Sequence, residues 1–286
     1  MKVHANGVDL FFDVEGTKLV ADGPWMRERP TVLLLPTGPG LDHSLYKEHV
    51  GPVLAEDAQV VYVDQRGSGR SDWSSEEHWT LETWVADLAA FHDALELDRP
   101  SLLGTGVGGL VALLYAARHP HRVEKLVLVS TVARYVHTRV IAEFDRLGGH
   151  DAGEVAARYF AEPTEASFAE YMRVCVPLYT HRPLPPDVVA RIAMNTAQAA
   201  NWDRSGERDF DLREEAASVR CPTLVLAGAD DPGASIAGIE ELVAALPQEL
   251  VRYERFENVG HGVFRDRPET ISLVREFLFA SAPEPA

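Results

Sequence analysis

Ser101-Leu102-Leu103-Gly104-Thr105-Gly106-Val107-Gly108-Gly109 begins as an apolar run, turns through glycines and passes at once into an apolar helical pattern that ends near Arg118. A strand that feeds a helix through a tight glycine turn is the repeating unit of parallel sheets. The same alternation extends outward in both directions. Short β-branched runs at Val8–Val14, Thr31–Leu35, Val60–Val63, Lys125–Val129, Thr223–Ala227 and Val251–Phe256 are interleaved with helical patterns at Leu81–Leu95 and Ile239–Leu246. This order predicts an α/β chain whose mostly parallel sheet, of about eight strands, is covered by helices on both faces. Val8–Val14 alternates apolar and polar residues, as an antiparallel edge strand does.

The alternation breaks between Val132 and Ser218. There the pattern is helical, at Glu154–Phe160, Phe168–Val174 and Asp187–Ala200, with proline clusters such as Arg182–Pro186 between them. An all-helical insertion between two strands of one sheet reads as a cap. The expected division is therefore a core of residues 1–131 and 219–286 and a helical cap of residues 132–218. The Ser281–Ala286 tail is expected to fray.

Composition narrows the function classes. Hydrophobic residues make up 46% and charged residues 25% of the chain, which is ordinary for a globular protein. The 44 acidic residues outnumber the 27 Lys and Arg and leave a net charge of −17. Such a field repels phosphate backbones and anionic lipid surfaces, so neither nucleic acid nor membrane is an expected partner. Only Cys175 and Cys221 are present, far apart, which implies no disulfide framework. No apolar leader is evident at MKVHANGVDLFF, and the expectation is a cytoplasmic protein. Cofactor and metal are expected to be absent, and the partner to be a small-molecule or peptide substrate.

Gly104 to Gly109 also fits G-x-G-x-x-G, the dinucleotide fingerprint. That reading requires an acidic residue at the end of the next strand, but Lys125–Val129 ends in Ser130-Thr131. The competing template is G-x-S-x-G, the sharp strand-to-helix turn that exposes a nucleophile, with Gly106 in the serine position. Its surroundings carry a wider likeness. Pro36-Thr37-Gly38-Pro39-Gly40 follows the third predicted strand, and Asp64-Gln65-Arg66-Gly67-Ser68-Gly69-Arg70-Ser71 follows the next. With these segments the chain resembles the proline iminopeptidase branch of the α/β-hydrolase-fold family, from Val8 to Phe279. That branch carries HGGPG in the first segment and DQRGxGxS in the second.

The resemblance implies a catalytic acid in Gly228-Ala229-Asp230-Asp231, where the family's G-x-x-D spacing selects Asp231 ahead of Asp230. It implies His261, in Asn258-Val259-Gly260-His261-Gly262, as the base. The chain order nucleophile, acid, histidine suits this fold. The N–H groups of Gly38 and Val107 are the implied oxyanion donors.

Glycine offers no atom with which to attack a carbonyl. The resemblance therefore implies a degenerate nucleophile position at Gly106, as in nucleophile-less tailoring relatives such as the peptide epimerase of bottromycin biosynthesis. Pro36-Thr37 in place of His-Gly is a second departure, which fits natural divergence better than one introduced change. Thr37 and Thr105 lie close enough in sequence to substitute, but neither is expected to turn its hydroxyl to His261. The leading expectation is non-hydrolytic proton transfer next to a carbonyl, of the epimerisation or isomerisation type, on a peptide or natural-product intermediate. A hydrolase using activated water or a substitute nucleophile, and a non-catalytic binder, are the alternatives.

Overall fold

A computed structural model describes residues 1–279, and the expectation about Ser281–Ala286 falls outside them. The central sheet has eight strands in the order β1-β2-β6-β5-β7-β8-β9-β10. These are β1 (Lys2–Ala5), β2 (Val8–Glu15), β5 (Thr31–Leu35), β6 (Gln59–Val63), β7 (Ser101–Thr105), β8 (Leu126–Val129), β9 (Thr223–Gly228) and β10 (Val251–Phe256). β1 and β2 pair antiparallel, β2 meets β6 antiparallel, and every pairing from β6 to β10 is parallel. The expected α/β architecture with a mostly parallel sheet is thus observed. The edge is β1 rather than Val8–Val14. At four residues, β1 is too short to carry a periodic signal of its own. Between β2 and β5 the chain forms a separate hairpin, β3 (Leu19–Asp22) with β4 (Trp25–Glu28).

Successive residues of the central strands face opposite layers. Leu33 and Leu35 join the layer of α3 (Leu81–Ala94), α4 (Val107–Arg118), α10 (Arg213–Ala216) and α11 (Ile236–Ala245), built around Trp84, Phe91, Leu113 and Tyr115. Val32 and Leu34 join the layer of α1 (Tyr46–His49), α2 (Gly51–Leu54), α12 (Val263–Asp266) and α13 (Thr270–Phe279), built around Tyr46, Leu54, Phe264 and Val274. Because both faces are covered, the strands read as apolar runs such as Leu126–Val129, buried throughout.

Among the described residues between β8 and β9 there is no strand. The chain forms α5 (His137–Gly148), α6 (His150–Ala161), α7 (Glu165–Val174), α8 (Pro186–Arg191) and α9 (Thr196–Arg204) before α10 returns to the core layer. The first three close a small core of their own, with Phe144, Val155, Tyr159, Tyr171 and Cys175. The single predicted helix Asp187–Ala200 is two helices. Its middle is pulled straight because Asn195 N donates to Gly40 O at 2.8 Å and Ala193 N donates to Asp42 Oδ2 at 3.1 Å. Cys175 and Cys221 are buried free thiols, which burial pushes up to about 11. No helix of the described residues is long and apolar enough to cross a membrane.

Candidate active site

Thr105 ends β7, Gly106 turns, and Val107 starts α4. Gly106 has φ +53° and ψ −119°, a conformation that L side chains rarely adopt. The turn is held from below. Gly106 N donates to Val129 O at 3.0 Å, and a Cβ on Gly108 would lie only 2.7 Å from the carbonyl carbon of Leu35. The glycine at 108 therefore lets α4 press onto β5, which aims the helix N-terminus and its unpaired N–H groups at the space above Gly106.

Asp231 follows β9 and is buried. Its Oδ1 accepts from Gly233 N and Ala234 N, both at 2.9 Å, which leaves Oδ2 to accept from His261 Nδ1 at 2.9 Å. Asp230 turns away and engages Arg146 and His181 instead. His261 lies on the loop after β10 and is anchored at both ends of its backbone. Its N–H donates to Tyr179 O at 2.8 Å, and its carbonyl accepts from Ser130 Oγ at 2.9 Å. Ser130 takes a positive φ of 49°, backbone strain of the sort that persists where the surroundings enforce it.

Asp266 ties this loop to the inserted helices. The buried carboxylate accepts from Gly260 N, from Thr180 Oγ1 and from the N–H groups of His181 and Arg182. Burial pushes its pKa up, but these donors outweigh it and hold the group below the ordinary value.

The sequence-predicted residues converge. A Cβ placed on Gly106 would lie 3.2 Å from His261 Nε2 and 3.0 Å from Thr37 Oγ1. Gly38, Gly106, Val107 and His261 line one cavity of about 190 Å³, together with Thr37, Tyr135, Tyr179, Trp202 and Arg208. A second cavity of about 380 Å³, whose lining includes Asp42, Glu48, Arg182 and Arg265, meets it at Thr37, Tyr179 and His261.

Thr37 departs from expectation. Its Oγ1 lies 3.1 Å from His261 Nε2, because the missing side chain at 106 leaves the room that this hydroxyl takes. The loop that carries it is braced. Gly40 N donates to Ser68 Oγ at 3.1 Å, and Ser68 Oγ donates to Gln198 Oε1 at 2.8 Å. Thr105 behaves as expected, since its buried hydroxyl bonds Tyr46 OH at 2.8 Å. Tyr179, Ser130, Asp266 and Arg208 escaped the sequence reading because none of them lies within a motif.

The α/β-hydrolase-fold family profile matches residues 30–268. The 2-hydroxy-6-oxo-2,4-heptadienoate hydrolase of Pseudomonas putida is 31% identical over 260 residues, covering 88% of this chain and 89% of that protein. A proline iminopeptidase of Lactobacillus helveticus is 27% identical over 274 residues, covering 88% and 90%. In three dimensions, the proline iminopeptidase of Mycobacterium smegmatis superposes with a TM-score of 0.73 at 19% identity, covering 97% of each chain. The chain therefore belongs to the α/β-hydrolase family, and proline iminopeptidases are among its relatives.

Proposed function

We propose that this chain is a hydrolase of small acyl substrates in which His261, oriented by Asp231, activates the hydroxyl of Thr37, while Gly106 stands where the family carries its serine. The observation that carries this reading is the 3.1 Å contact between Thr37 Oγ1 and His261 Nε2, a hydroxyl–imidazole–carboxylate relay assembled from a different loop. The hydrolytic names of its relatives support the same reaction class. Residues 132–218 act as the cap over the site.

In this mechanism Thr37 Oγ forms a bond to the substrate carbonyl carbon as its proton passes to His261 Nε2. Gly38 and Val107 N–H groups hold the oxyanion. Collapse expels the leaving group, which takes the proton back from His261. Water, deprotonated by His261, then cleaves the acyl-Thr37 ester and releases the acid. Asp231 fixes the imidazole tautomer and stabilises the imidazolium without taking the proton.

A second reading, non-hydrolytic proton transfer of the epimerisation or isomerisation type on a peptide or natural-product intermediate, is favoured by one feature. Gly106 leaves the start of α4 open to a substrate oxygen, so an enolate could be held there while His261 removes the carbon-bound proton. A fluorophosphonate probe decides between the two. Attack by Thr37 Oγ on phosphorus expels fluoride, the hydroxyl proton leaves through His261, and the chain gains the probe mass less HF, mapped to the peptide containing Thr37. An unchanged intact mass, together with deuterium uptake at the carbon next to the carbonyl in deuterium oxide, would replace the hydrolytic reading with the second.

A further inference from the structure

The 190 Å³ cavity is lined by one formally charged side chain, Arg208, and among the described residues that line it there is no carboxylate. Arg208 is held from behind. Its guanidinium forms an ion pair with Asp203, a residue that does not line the cavity and that also accepts from Tyr159 OH. Arg208 Nη1 donates to Tyr135 OH at 2.5 Å, and the guanidinium lies 4.7 Å from the Tyr135 ring centroid and 5.2 Å from that of Phe160. The side chain is only 17% exposed. Gly38 and Val107 share the lining, and Val107 begins α4 at the positive end of its helix dipole. Tyr135, Tyr179, Trp202 and Phe210 close the remaining walls and keep the local dielectric low, which strengthens that field.

We infer that this cavity, whose described lining holds no carboxylate, takes the carboxylate-bearing end of the substrate, with the carboxylate on Arg208 and the reacting carbonyl beside Gly38 and Val107. The remainder of the substrate extends into the 380 Å³ cavity, where Arg182 and Arg265 are accompanied by Asp42 and Glu48. The inference deepens the hydrolytic reading and rests on it for the place of the carbonyl. Arg208 is suited to the task because a planar guanidinium donates to both oxygens of a carboxylate, and because its own orientation is already fixed by Asp203 and Tyr135. An ammonium-bearing substrate end, by contrast, would meet the Arg208 guanidinium and find no carboxylate among the described lining residues. The acidic balance of the whole chain thus gives way, inside this cavity, to local selection for an anion.

The test is equilibrium binding of levulinate, a ketone bearing a carboxylate, against methyl propyl ketone, its neutral counterpart of equal chain length, by calorimetry with the full chain. Binding requires no turnover, so failure to hydrolyse any ester leaves this result standing, and hydrolysis without a carboxylate preference removes this inference alone. Levulinate is expected to bind at least about tenfold more tightly, the factor that one charge-assisted hydrogen bond supplies. Because Arg208→Gln alone would strand Asp203, the variant tested is Arg208→Gln with Asp203→Asn. It should abolish the preference, read as the ratio of the two affinities within the same variant, and Arg208→Lys should keep part of it. Equal affinities in the wild type, a preference that survives in the double variant, or no binding of levulinate would each overturn the inference.

Discussion

Thr37 and His261 are 224 residues apart in sequence, yet the hydroxyl of one lies 3.1 Å from the Nε2 of the other. The contact joins the loop after β5 to the loop after β10, at the point where both cavities open. If Thr37 is the attacking group, Thr37→Val should lower ester hydrolysis by roughly 10²–10⁴-fold and Thr37→Ser should retain most of it. Initial rates on a panel of nitrophenyl esters measure this. A Thr37→Val protein with wild-type kcat would show that the hydroxyl is a spectator.

Gly106→Ser is expected to weaken the protein. The backbone there holds φ +53°, and the new Cβ would press on Thr37 Oγ1 at 3.0 Å. Strain of this type costs about 1–3 kcal/mol, read as a lower denaturant midpoint. Adding Thr37→Gly should recover part of the loss and move fluorophosphonate labelling to position 106. Labelling that stays absent in the double variant would mean that His261 cannot serve a hydroxyl from that side.

Replacing Asp266 by Asn tests the clamp over His261. The amide keeps one acceptor oxygen but cannot serve the N–H groups of Gly260, His181 and Arg182 together with Thr180 Oγ1. The variant should lose about 1–3 kcal/mol of stability, because buried donors are left unpaired. Amide hydrogen exchange should quicken at residues 179–182 and 260–262. Unchanged exchange at these two segments would remove Asp266 from any positioning role.

The junction between α5 and the core should respond to acid. Hydrogen bonds from Arg139 and then Arg134 hold the Glu241 carboxyl down from 4.5 to about 2. Since the folded value is depressed, the stabilisation is fully present above 4.5 and is lost as pH falls toward about 2. Denaturant midpoints followed across that window should fall less steeply for Glu241→Gln than for the wild type. Parallel curves would place the acid sensitivity elsewhere.

How much of this was legible in the sequence depends on where each signal lies. Doubly covered strands announce themselves as apolar runs, so Leu126–Val129 and Thr223–Gly228 were readable, whereas β1, four residues at an edge, was not. Glycines written into a turn could be read as the turn at Gly106. The split between α8 and α9 could not, because it is made by hydrogen bonds to Gly40 and Asp42, far away in sequence. The same holds within the site. Gly106, Asp231 and His261 sit in motifs, while the direction of the Thr37 hydroxyl depends on space vacated at another residue, and Arg208 owes its place to Asp203 and Tyr135.

The bonds from Asn195 to Gly40 and from Ser68 to Gln198 fasten α9 to the loop that bears Thr37. Swinging those helices aside to admit a substrate would pull on Gly40, three residues from the hydroxyl. The placement of α9 over the site and the placement of the Thr37 hydroxyl thus share one chain of hydrogen bonds, so neither element is anchored independently of the other.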